Sequence, residues 1–125
     1  MTVMFETLAT AIIDLDMCLS GPDIATLAAL HHQLGIRLAQ VAHSFNESGS
    51  WSADGAVSAK GWLTAHSTLS DSAASRLLTT GRKLRALPVT TEAVFSGDIG
   101  AGQLDAILGC VGNSHLEKFA SFEAT

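Results

Sequence analysis

Leu27-Ala-Ala-Leu30-His-His-Gln-Leu34-Gly-Ile-Arg-Leu38-Ala-Gln-Val41-Ala-His-Ser-Phe45 is the stretch that decides the fold class. Its large apolar residues at 27, 30, 34, 38, 41 and 45 are separated by threes and fours. That spacing puts them on one stripe of a helix with 3.6 residues per turn. Upstream, Phe5, Leu8, Ile12 and Leu15 repeat the pattern and predict a first helix. Between the two lies Ser20-Gly21-Pro22-Asp23. Ser20 and Asp23 have capping-box spacing, and Pro22 is tolerated in a first turn because no intrahelical N–H partner is lost there. Two long helices joined by a short connection predict an antiparallel hairpin over 1–47.

Downstream the chain breaks into shorter pieces. Residues 48–57 are rich in Ser and Gly and read as a loop, with Trp51 expected to anchor it on the hairpin. Ser58 is placed to cap a short helix carrying Trp62 and Leu63. Ser67–Ser70 reads as a turn, and a further helix begins at Ser70 or Asp71 with Ala74, Leu77, Gly81 and Leu84 as its apolar stripe. Pro88 bars its continuation. Short helices follow at about 91–95 and from about Ala101, and Leu116, Phe119 and Phe122 keep helical spacing in the tail. No strand pattern is visible. The predicted class is all-α: a hairpin (1–47), a loop (48–57), a helix-turn-helix-like unit (58–88) and short C-terminal helices (89–125), together one domain.

The composition agrees. With 125 residues, 47% hydrophobic and 15% charged, the chain has enough apolar material for one core and too little charge for a disordered segment. Asp14, Asp16, His31, His32 and Arg37 interrupt every apolar run long enough to be a membrane span. The N-terminus lacks a basic segment followed by an apolar one, so a secretory signal is not expected. Cys18 and Cys110 have no metal-ligand spacing and are expected to be buried thiols in a reducing cytoplasm. His31, His32, His43, His66 and His115 form no chelating set; a neighbouring pair such as His31 and His32 points about 100° apart. No nucleophile elbow, phosphate-binding loop or dinucleotide fingerprint occurs. No catalytic residue, metal or cofactor is therefore assigned.

The net charge of -5 argues against nucleic-acid binding by overall attraction. Its distribution points the other way. The window Lys60 to Arg85 holds Lys60, Arg76, Arg82, Lys83 and Arg85 against Asp71 alone, a net +4, while the remainder carries -9. A short helix, a turn and a capped second helix have helix-turn-helix proportions. On that pattern Ser70, Asp71, Ser72, Ala73 and Ser75 approach bases or phosphates, and Arg76 and Lys83 hold the backbone. The candidate DNA-binding set is Lys60, Ser70, Ser72, Ser75, Arg76, Arg82, Lys83 and Arg85. Two positions depart from the usual pattern: Thr68 stands where the turn normally has Gly, and Thr64 where a small apolar residue is usual.

The run Gly49-Ser-Trp51-Ser-Ala-Asp54-Gly55-Ala-Val-Ser58, then Trp62-Leu63, Leu69-Ser70, Arg76-Leu77, Gly81-Arg82-Lys83-Leu84, Leu87-Pro88, Gly97-Asp98-Ile99 and Gln103-Leu104, resembles the actinobacterial 13E12-repeat family, also called domain of unknown function 222. The resemblance covers nearly the whole chain. Its most specific parts are the Trp-x-x-Asp-Gly-Ala loop and the basic helix that ends in Leu-Pro. It implies a helical domain of the kind usually found upstream of an HNH endonuclease domain, whose metal ligands lie in that downstream part. The chain is thus expected to be a non-catalytic helical domain that binds DNA weakly. The alternatives are an interaction or self-association module, or a remnant of a split nuclease gene. The expected partners are DNA, a second copy of the chain or a separately encoded HNH nuclease, and no membrane.

Overall fold

Ser20 opens the longest helix: its hydroxyl accepts the backbone N–H of Asp23 at 3.3 Å, satisfying one of the donors that a helix N-terminus leaves unpaired. The computed structural model describes residues 2–110. Six α-helices run in the order α1 (Thr2–Ile13), α2 (Gly21–Ser48), α3 (Ala59–His66), α4 (Asp71–Ala86), α5 (Pro88–Ser96) and α6 (Ala101–Cys110), with one 3-10 turn at Ser50–Asp54 between α2 and α3. Among the described residues there is no strand, and the all-α class holds. The expected tail stripe at Leu116, Phe119 and Phe122 lies outside the described residues.

The chain divides into two units, one running to Leu30 and one beginning at His31. The first contains α1 and the start of α2. Its apolar side chains are exposed: Val3, Met4, Phe5, Leu8, Ile12, Ile13, Ile24, Leu27 and Leu30 all stand open to solvent. Cys18, expected to be buried, is exposed instead. It lies in the connection after α1, where its N–H donates to the Asp16 carboxylate at 2.9 Å, and no packed element covers it.

The second unit holds the core. Ile36 and Ala39 of α2, Leu84 of α4, Val94 of α5 and Leu104 of α6 form one buried cluster, with Leu77, Phe95, Ile99 and Leu108 packed around it. The approach of α2 to α4 is set by a glycine. A Cβ on Gly81 would lie 2.2 Å from the Ala39 carbonyl oxygen and 2.7 Å from the His43 Cβ. Only a residue without a side chain permits that crossing. Ala39 and His43, both buried, supply the other side of the contact.

Local signals fix the remaining ends. Ser58 caps α3 by accepting the Gly61 N–H at 3.0 Å, and Ser70 caps α4 by accepting the Ala73 N–H at 3.1 Å. Pro88 ends α4 and supplies the first turn of α5. That junction is locked by Thr91, a buried residue whose hydroxyl donates to the carbonyls of Leu84 and Leu87, both at 3.0 Å. The same two carbonyls also accept backbone N–H groups, that of Leu84 from Leu87 at 3.1 Å and that of Leu87 from Thr91 at 3.0 Å, so the hydroxyl reinforces bonds already made across the junction.

Candidate nucleic-acid interface

The Trp-x-x-Asp-Gly-Ala segment folds into the 3-10 turn and acts as a clamp. The indole N–H of Trp51 donates to the carbonyl of Asn46, near the C-terminus of α2, at 3.2 Å. The indole N–H of Trp62, on α3, donates to the Asp54 carboxylate at 2.8 Å. Gly55 closes the turn at φ 82, a left-handed conformation that costs any other residue a steric clash. Trp62 then packs edge-on against Phe45 with ring centroids 4.8 Å apart and stacks on His66 at 4.4 Å. These contacts fasten α3 to the end of α2 and so fix the platform on which α4 sits.

Helix α4 presents two different sides. Ala74, Gly81 and Leu84 are buried and Leu77 half-buried, so they form the inner side. Asp71, Ser72, Arg76 and Arg82 are exposed, with Ser75 half-buried beside them. The candidates taken from the sequence therefore separate into groups. Lys60 is held by Asp71, Nζ to carboxylate 3.1 Å. Ser70 is occupied as the α4 cap and lies 3.3 Å, oxygen to oxygen, from the Ser72 hydroxyl. Lys83 is half-buried, and its ammonium donates to the Leu108 carbonyl on α6 at 2.9 Å. Its ammonium is thus engaged within the fold. Arg76 and Arg85 are exposed and make no hydrogen bond or ion pair among the described residues.

One cation missed by the sequence reading joins them. Arg37, on α2, lies with its guanidinium 4.3 Å from the centre of the Phe95 ring and donates to the Gln40 side chain at 3.2 Å. With Gln40, Arg85, Pro88, Glu92 and Phe95 it lines an open hollow of about 380 Å³. Arg37 lies outside the basic window, and its neighbourhood with Arg85 is purely tertiary, so spacing along the chain carried no signal of it. The hollow contains two guanidinium groups over an apolar floor, with Glu92 offsetting part of their field.

Charge follows the division into units. The described residues up to Leu30 carry four acidic side chains and no basic one, while those from His31 carry six of each. The described part of the second unit is thus neutral, with its exposed cations on α4 and around the hollow. Among the described residues no group of three or more His, Cys, Asp or Glu side chains is arranged to hold a metal ion. No helix among them is long and apolar enough to cross a membrane.

A helical domain containing an eight-residue and a sixteen-residue helix packed across a four-residue turn is the class that fold and surface define. Within that class the assignment is direct. Residues 23–118 match the family described as domain of unknown function (DUF222), and the chain belongs to it. The matched span includes the clamp, α3, α4 and the hollow. No curated protein and no solved structure matches the chain.

Proposed function

We propose that the chain is a non-catalytic targeting domain, acting in the cytoplasm, that touches DNA weakly through the outer side of α4. The observation that carries this reading is the arrangement of Ser72, Arg76 and Arg82 on the exposed side of a capped helix held against α3. A helix placed in this way offers small polar groups near its N-terminus and guanidinium groups along its length, the types used for phosphate and base-edge contact. Arg85 and Arg37 extend the positive surface toward the hollow. With Lys60 and Lys83 engaged internally, Arg76 and Arg85 are the cations of the basic window that make no hydrogen bond or ion pair among the described residues. A set this small supports affinity in the range of non-specific binding, about 10⁻⁴ to 10⁻⁶ M. Such a domain serves a nuclease best as an accessory, bringing a separately encoded HNH enzyme to its substrate.

Fluorescence anisotropy with a labelled DNA duplex tests the reading. Binding is expected at about 50 mM salt and loss of most of it by about 200 mM. Arg76→Ala combined with Arg85→Ala should weaken binding several-fold and leave the melting temperature unchanged, because neither side chain makes a hydrogen bond or ion pair among the described residues. Lys83→Ala should lower the melting temperature with little change in affinity. No binding at the lower salt, or full binding by the double variant, rejects the reading.

A further inference from the structure

We infer that two copies of the chain associate through α2, antiparallel, about a two-fold axis beside Leu34. The inference does not depend on DNA binding.

Helix α2 has two apolar sides. Ile36, Ala39 and Ala42 are buried, and Gly81 of α4 lies against Ala39 and His43. The large residues Leu27, Leu30, Leu34, Leu38 and Val41 are exposed to 37%, 55%, 48%, 48% and 64%. At about 100° per residue these five fall within an arc of roughly 80°, centred about 150° from the buried side. The contacts that bury Ile36, Ala39 and Ala42 therefore leave the five uncovered. Isolated exposed leucines are ordinary, but a continuous row along one helix marks a surface that is covered in use.

The spacing of the row identifies what covers it. The intervals are three, four, four and three, a pattern symmetric about Leu34. Reversing the helix direction leaves it unchanged. In an antiparallel pair Leu27 meets the partner's Val41, Leu30 meets the partner's Leu38, and Leu34 meets the partner's Leu34. This is the self-complementarity of a two-fold interface, in which each residue contacts another and is contacted by it in return.

Charge favours the same arrangement. Arg37 is the one Lys, Arg, Asp or Glu between positions 27 and 41. A parallel pair would set Asp23 beside Asp23 and Arg37 beside Arg37. The antiparallel pair separates the two Asp23 residues by about 33 Å along the axis, several times the Debye length of about 8 Å at physiological salt. Glu47 points away from the row, toward His43 at 3.7 Å. Five half-exposed side chains per copy bury less than the roughly 1,200 Å² of a standard interface, so a dimer in the micromolar range is expected.

Sedimentation equilibrium of the whole chain over a wide concentration range gives the first measurement. A monomer–dimer equilibrium with a micromolar midpoint is expected, and Leu34→Glu should abolish it while leaving the helical circular dichroism intact, because Leu34 takes no part in the core. Geometry is read by a short thiol-specific crosslinker in a Cys18→Ser/Cys110→Ser background. Leu34→Cys should crosslink to itself, Leu27→Cys should not, and a mixture of Leu27→Cys with Val41→Cys should give the mixed product. A chain that stays monomeric at high concentration overturns the proposal, whether another protein or the chain's own C-terminal segment covers the row. A dimer that survives Leu34→Glu overturns it in favour of another surface. Self-crosslinking of Leu27→Cys as efficient as that of Leu34→Cys overturns the antiparallel geometry.

Discussion

Gly81 shows how one residue sets the approach of two helices. Its replacement by Ala places a Cβ 2.2 Å from the Ala39 carbonyl oxygen and 2.7 Å from the His43 Cβ, where neither backbone nor a buried ring can yield cheaply. Gly81→Ala is expected to cost about 3 kcal/mol, at the upper end of overpacking effects, read as a shift of the denaturant midpoint. Gly35 provides the contrast. Nothing lies within 4 Å of its added Cβ and its φ is not positive, so Gly35→Ala should raise stability by about 0.5–1 kcal/mol through helix propensity alone. The sequence placed Gly81 on the apolar stripe of its helix correctly. It carried no sign that the residue touches backbone, because Ala39 and His43 are remote in the chain and on another helix. The same distance hid the use of Lys83, whose ammonium serves the Leu108 carbonyl of α6. At these positions residue type was legible and partner was not.

Helix ends were the most legible elements, because their signals are local. Ser58, Ser70 and Pro88 mark starts and stops by chemistry confined to three or four residues, and each does so in the structure. The faces of α2 were less legible. The leucine row dominates its apolar pattern, yet the buried side is made by Ile36 and two alanines, whose small apolar areas leave a weak trace in any periodicity. The 3-10 clamp was legible as a loop with Trp51 anchored on the preceding helix, but its individual bonds, Trp51 to Asn46 and Trp62 to Asp54, were not, since they depend on the loop's own shape. Its role can be measured. Asp54→Ala removes the acceptor of the Trp62 indole N–H and should cost about 1 kcal/mol, below the usual value for a charged partner because the carboxylate is exposed. Trp62 fluorescence should shift in the folded protein. At the junction of α4 and α5, Thr91→Val keeps shape but removes the hydroxyl bonds to the Leu84 and Leu87 carbonyls, which keep their backbone donors. A loss of about 1–2 kcal/mol is expected, seen as a lower melting temperature with unchanged secondary structure.

Across the whole molecule stability is distributed as unevenly as charge. The residues up to Leu30 carry four acids, no base and no buried side chain among those described, whereas every buried residue lies from Ile36 onward. Opening α1 exposes little apolar surface that is not already exposed, so little free energy opposes it. Opening α4 uncovers Ala74 and Leu84 and breaks the core cluster with α2, α5 and α6. Hydrogen exchange followed by mass spectrometry should therefore find the amides of α1 close to the rates of an unfolded peptide in dilute protein, with those of α4 and α5 the slowest in the chain. Exchange in α1 as slow as in α4 at the same dilution would mean that its apolar side chains are covered in solution, and the assignment of stability to the second unit alone would fail. Raising the protein concentration adds a second comparison. Association through the leucine row should slow exchange along α2 between about 27 and 41 and leave the slow amides of α4 as they were, since the core that protects α4 is complete in a single copy.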